Sequence, residues 1–176
     1  MTQTRVISAI DERSQAMIAG LDQVAPRYVL ILPSSTLKAI VGHFLEAPGV
    51  TTFPIPREEE GIGILSGLAL AGQRAVMIIQ DNGVGNLLTA LTTFPLSYHI
   101  PMLVVVARRG GIGEYNSTIH AVSERVEPIL DAAGIRYFQL DGRTPIADWA
   151  PTVVNVHEYA EITHRPVFLL VNLMGG

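Results

Sequence analysis

The chain has 176 residues, of which 48% are hydrophobic and 16% charged, and its 12 Lys and Arg against 16 Asp and Glu give a formal net charge of −4. At about 150 residues per domain this length predicts one domain, and a weak negative charge with no basic stripe excludes a nucleic-acid binder. Zero cysteines exclude a disulfide framework and any thiolate metal site or nucleophile. Charge this sparse, against about 25% in an average domain, predicts that part of the surface is covered by a partner.

Asp11, Glu12 and Arg13 arrive too early for a signal peptide. The longest apolar stretches, 61–72 and 100–107, fall short of the roughly 18 residues of a membrane span. A soluble, cytoplasmic chain without membrane contact is the expectation.

Helix-like and strand-like patterns alternate along the chain. Residues 5–24 place Ile7, Ile10, Met17, Ile18 and Leu21 at helical spacing, closed by Pro26. The run YVLIL at 28–32 is continuously apolar, as in a strand covered on both faces. Helices then follow at 35–45, 57–71, 83–97, 122–133 and 146–162, and strands at 50–53, 75–79, 102–107, 136–139 and 167–171. This alternation predicts βαβ units, one parallel sheet and helices on both faces, in a single three-layer α/β/α domain over residues 1–176.

In such sheets ligands bind outside the carboxyl ends of the strands, so the residues just after each strand carry the candidates. After the first come Pro33, Ser34, Ser35 and Thr36; G-x-S-x-G is absent, and helix capping is the ordinary task of such hydroxyls. After the second comes REEEGIGILSGLALAG at 57–72. Its carboxylates suit a helix N-terminus and equally a proton-transfer task. Its four glycines predict a helix buried and approached closely on several sides, because each costs about 1 kcal/mol relative to Ala.

The third strand leads into QDNGVGN at 80–86, a Gly-rich turn lacking the third glycine of a dinucleotide motif and a Walker lysine. The fourth leads into a loop, 108–120, with Arg108, Arg109 and His120, of the length used for binding loops. His157 and Glu158 begin an H-E-x-x-H pattern that fails at Glu161, so no metal site is expected.

The ordered set PSSTLKAIV (33–41), REEEGIGILSGLALAG (57–72), VMIIQDNGVGNLLTAL (76–91) and YHIPMLVVVARRG (98–110) resembles the pyrimidine-binding (PYR) domain of thiamine-diphosphate-dependent 2-oxo acid decarboxylases. The resemblance covers most of residues 28–120. It is closest to the alpha subunits of sulfopyruvate decarboxylases and to the matching part of phosphonopyruvate decarboxylases.

The resemblance implies that Glu58 is the catalytic carboxylate that hydrogen-bonds the aminopyrimidine ring, with Glu59 and Glu60 as alternatives if the register shifts. It places Gln80, Asp81 and Asn82 beside the cofactor. Ser34, Ser35, Lys38, Arg108 and Arg109 are the expected contacts for an anionic substrate, and His120 is a candidate catalytic histidine. Ser34 favours the sulfonate branch and His120 the phosphonate branch, which leaves the substrate open.

The diphosphate and Mg²⁺ are bound in this family through a G-D-G motif that the sequence does not contain. The resemblance therefore implies a separate beta subunit with the diphosphate-binding (PP) domain, a hetero-oligomer, and no activity for this chain alone. The expected reaction is conversion of 3-sulfopyruvate to sulfoacetaldehyde and carbon dioxide. Phosphonopyruvate decarboxylation, an acetolactate synthase-like or lyase-like carboligation, and a non-catalytic flavodoxin-like binding module are the alternatives.

Overall fold

The structure is a computed structural model that describes residues 2–111 and 114–175. Six parallel strands form one sheet in the order β2-β1-β3-β4-β6-β5. They are β1 (Tyr28–Ile31), β2 (Thr51–Pro54), β3 (Ala75–Gln80), β4 (Met102–Ala107), β5 (Arg136–Leu140) and β6 (Pro166–Val171). The three-layer α/β/α expectation holds.

Period-2 alternation sends neighbouring residues of one strand into two separate cores. Val76 and Ile78 of β3, with Leu103 and Val105 of β4, pack under α1 (Thr2–Val24), α2 (Lys38–Glu46) and α7 (Trp149–Thr163). Met77 and Ile79, with Val104 and Val106, pack under α3 (Glu58–Leu70), α4 (Val84–Thr93) and α6 (Val126–Ala132). Central strands buried on both faces explain the uninterrupted apolar runs.

Three sequence expectations are corrected. The helix predicted at 83–97 ends at Thr93, because Phe94 precedes Pro95 and the α conformation is disfavoured there. The helix predicted at 122–133 is two helices, α5 (Ser117–Ser123) and α6. Pro128 has no N–H for the carbonyl of Glu124 and its ring clashes there, so one helix cannot run through. The Gly-rich helix α3 is buried on one side: Gly61, Ile62, Leu65 and Ser66 face the core, whereas Gly63, Ile64, Gly67 and Leu70 are exposed.

From β1 the chain moves outward to β2 and then crosses back to β3, so the topological switch point lies between β1 and β3. The crevice expected of open α/β sheets opens at their carboxyl ends.

Candidate active site

Glu58 is the first residue of α3 and is buried. Its Oε2 accepts a hydrogen bond from Asn86 Nδ2 at 3.1 Å. The rest of the carboxyl group lies over Gly83, in the single 3₁₀ turn 81–83 that joins β3 to α4; a Cβ at Gly83 would overlap Oε1, Cδ and Cγ of Glu58. Glycine is required at 83 because the glutamate side chain fills the place of its side chain. One donated side-chain bond leaves most of the lone-pair capacity of this carboxylate open.

Glu58 is the buried member of the acidic triplet; Glu60 is exposed, and Glu59 receives Arg57 Nε at 3.2 Å. Ser34 does not cap a helix: its Oγ donates to Gln80 Oε1 at 2.8 Å, across the switch point from the end of β1 to the end of β3. That bond fixes the Gln80 amide with its NH₂ directed away from Ser34. Ser34, Ser35 and Lys38 line a shallow, mainly apolar groove with Val41, Gly42 and Leu45 of α2. Asn82 is exposed at the start of the crevice-side turn.

Asp81 is placed differently. It is fully buried, and its Oδ2 accepts from Ser123 Oγ at 2.5 Å, from the Arg109 backbone N–H at 2.8 Å and from Arg108 Nη1 at 3.3 Å. It faces the β4–α5 loop, not the open crevice.

The two arginines are held by the chain's own carboxylates. Arg108 makes a bidentate pair with Glu127 at 2.8 and 2.9 Å and donates to the Ser123 carbonyl at 2.6 Å. Arg109 makes a bidentate pair with Glu114 at 2.7 and 2.8 Å, in which the two side chains are 8% and 1% exposed. Both guanidinium groups, expected to contact a substrate anion, are thus already paired within the chain. Burial pushes the Glu114 carboxyl up, but hydrogen bonds from Arg109 and the Asn116 N–H and the arginine charge outweigh it, and the group titrates below its ordinary value.

His120 is half-buried on α5, and its Nε2 lies 3.1 Å from the Glu114 carbonyl oxygen. A carbonyl only accepts, so Nε2 carries the hydrogen, and in the neutral imidazole Nδ1 is then the acceptor. Residues 112 and 113 of the predicted 108–120 loop lie outside the described residues.

Sequence reasoning missed Asn86, Gly83, Ser123, Glu114 and Glu127. Asn86 and Gly83 stood inside QDNGVGN but read as turn residues. Ser123 and Glu127 show a partner only when separate elements meet, whereas Glu114 stands five residues from Arg109 in the same loop. Among the described residues no helix is long and apolar enough to cross a membrane, and no cluster of three or more His, Asp or Glu side chains is arranged to hold a metal ion.

No protein-family model matches the chain. It is 27% identical over 125 residues to the sulfopyruvate decarboxylase subunit alpha of Methanococcus maripaludis, covering 71% of this chain and 75% of that one. It is 29% identical over 136 residues to the subunit of the same name from Methanothermobacter thermautotrophicus, covering 76% and 78%. A phosphonopyruvate decarboxylase of Streptomyces viridochromogenes is 26% identical over 62% of this chain, which spans only 28% of that longer protein.

Among solved structures, a 2-oxoglutarate:ferredoxin oxidoreductase from Magnetococcus marinus superposes with a TM-score of 0.68 at 19% identity, over 95% of this chain and 29% of that one. That likeness shows the shared fold. By sequence the chain is similar to the sulfopyruvate decarboxylase alpha subunits over most of their length and, over a shorter part, to the phosphonopyruvate decarboxylases.

Proposed function

We propose that this chain is the pyrimidine-binding alpha subunit of a thiamine-diphosphate-dependent decarboxylase that converts 3-sulfopyruvate to sulfoacetaldehyde and carbon dioxide in the cytoplasm. The observation that carries the reading is Glu58: a buried carboxylate at the start of α3, backed by Gly83 and touched by one side-chain donor, Asn86. A buried, under-coordinated carboxyl group of this kind suits a partner that shares a proton with it, and a ring nitrogen is such a partner. When bound, thiamine diphosphate supplies that ring nitrogen together with a thiazolium that accepts the electrons released as carbon dioxide leaves.

The chain's own residues have separate tasks. Glu58 holds or gives a proton at the carboxyl oxygen not engaged by Asn86. Gln80, with its amide fixed by Ser34, and Asn82 border the cofactor. Ser34, Ser35 and Lys38 receive the anionic substrate, and Lys38 is the single lysine of the sequence. With Arg108 and Arg109 neutralised internally, Lys38 carries the charge that faces the second anionic group. His120 presents Nδ1 as a base or acceptor.

Three lines of support bear on a partner. Relatives of similar length are named as alpha subunits. The sequence lacks G-D-G, so Mg²⁺ and the diphosphate fall to a beta subunit with the PP domain. The exposed apolar residues Ile64 and Leu70 give α3 a face for that subunit.

The test mixes this chain with such a beta subunit, thiamine diphosphate and Mg²⁺ and measures carbon dioxide from 3-sulfopyruvate. Turnover that needs both chains is the expected result. Faster turnover of phosphonopyruvate, or a condensation product with an added aldehyde, would move the assignment to those alternatives. Failure of every substrate with every thiamine-diphosphate partner would leave a binding module.

A further inference from the structure

Asp81 is the most completely buried acid among the described residues, and the proposed chemistry does not use it. Its Oδ2 joins three segments: its own turn at the end of β3, the first two residues after β4 through Arg108 and Arg109, and the last residue of α5 through Ser123. Arg108 extends the junction to Glu127 of α6, and Glu127 Oε1 accepts from Gln139 of β5 at 3.1 Å. Close packing reinforces it, since Gly110, at φ +76°, approaches Ser123 so closely that a Cβ there would lie 2.5 Å from the serine Cβ.

The same short turn is gripped from its other end. Gly83, two residues after Asp81, is covered by the Glu58 carboxyl group. The 81–83 turn is thus held between Glu58 on one side and the β4–α5 segment, which carries His120, on the other.

We propose that Asp81 is a positioning residue that locks the β4–α5 segment to the turn beneath Glu58, so that Glu58 and His120 are held as parts of one rigid unit. A charged acceptor suits this task, because hydrogen bonds to an ionised group are roughly twice as strong as neutral ones. Asp81 acts in this proposal through the segments it joins, as a positioning residue. Its effect on activity rests on the function proposed above, whereas its effect on loop order does not.

The experiment compares Asp81→Asn, Asp81→Ala and Ser123→Ala with the unaltered full-length chain by amide hydrogen exchange, and then assays each in the complex with the beta subunit. Asp81→Asn keeps the shape and loses the charge, so it carries the test even where the alanine variant is too unstable to assay. The expected result is at least tenfold faster exchange at residues 108–111 and 117–124 in Asp81→Asn, with α1 and α7 unchanged. Ser123→Ala shows a smaller loss at the same places.

In the complex, kcat falls with little change in the KM for substrate. Unchanged exchange at 108–124 in Asp81→Asn overturns the proposal, as does a loss spread evenly over all strands. If the wild-type complex is inactive, the function reading fails while the exchange data still decide the role of Asp81.

Discussion

Two carboxylates of the chain live in opposite circumstances. Glu58 accepts one side-chain hydrogen bond, whereas Glu114, in the β4–α5 loop, accepts three from Arg109 and the Asn116 N–H. Both are buried. A buried carboxylate with three charge-assisted or backbone donors is a structural anchor whose chemistry is finished; one with a single amide donor has acceptor capacity left for something outside the chain. Coordination, more than burial, separates Glu58 from Glu114.

That contrast predicts different failures at the two positions. Glu58→Gln should leave the fold intact and lower kcat of the assembled enzyme by about 10²–10⁴-fold, the usual contribution of a positioned acid or base. Carbon dioxide release at saturating thiamine diphosphate measures it. Wild-type turnover in this variant would remove Glu58 from the mechanism.

Glu114→Gln should do the reverse. It leaves Arg109 buried without its counter-charge, and breaking a buried pair in this way costs about 3–5 kcal/mol, which urea unfolding of the chain would report. The pH dependence has a definite sign. The folded carboxyl titrates below its usual 4.5, so its contribution is fully present above that value and is lost as pH falls through the folded one. The stability gap between wild type and Glu114→Gln should accordingly narrow with acid below about pH 4.3. A gap constant to pH 3 contradicts the pairing.

Gly83→Ala tests the ground on which Glu58 rests. A methyl group there competes with the glutamate for one volume, and such overpacking costs about 1–3 kcal/mol. Activity should fall further than stability alone explains, because the carboxyl group is what moves. An alanine variant with native turnover would mean that Glu58 has another equally good position.

The sheet and its layers were legible because two-sided burial of the inner strands writes itself as YVLIL and MLVVVA, whereas the edge strands β2 and β5, partly exposed, were legible from their place in the alternation. The split of α5 from α6 was written too, in Pro128, but the helical periodicity around it masked the break. What could not be read was which charges are already satisfied. Arg108 looks free in RRGG, and only the fold brings Glu127 and Asp81 to it; the partner of Arg109, Glu114, is local to the same loop. Ion pairing between elements leaves no local signature.

Glycines within one helix show the same division between inner and outer faces. A Cβ at Gly61 would lie 2.5 Å from Ile55 Cδ1 and Met77 Sδ, whereas Gly63, two residues on, has open space. Gly63→Ala should stabilise the isolated chain by about 1 kcal/mol, the helix-propensity difference, and thermal melting would show it. If α3 docks the beta subunit through this face, the same methyl group should weaken assembly, read by titration of one subunit into the other. Stabilisation with unchanged assembly would place the partner elsewhere.

The smallest effect comes from Lys38, and it bears directly on which cation meets the substrate. An exposed ion pair is worth about 0.2–1 kcal/mol, so Lys38→Gln should raise the KM for 3-sulfopyruvate by about 1.4-fold to fivefold. Pyruvate has the 2-oxo acid but no second anionic group, and its KM should stay as it was. The difference between the two substrates is the informative quantity: a general disturbance of α2 raises both constants together. Equal rises would therefore return the anion to Arg108 or Arg109, and those arginines would first have to leave Glu127 and Glu114, at the cost of a half-buried and a buried pair that now hold the β4–α5 segment in place.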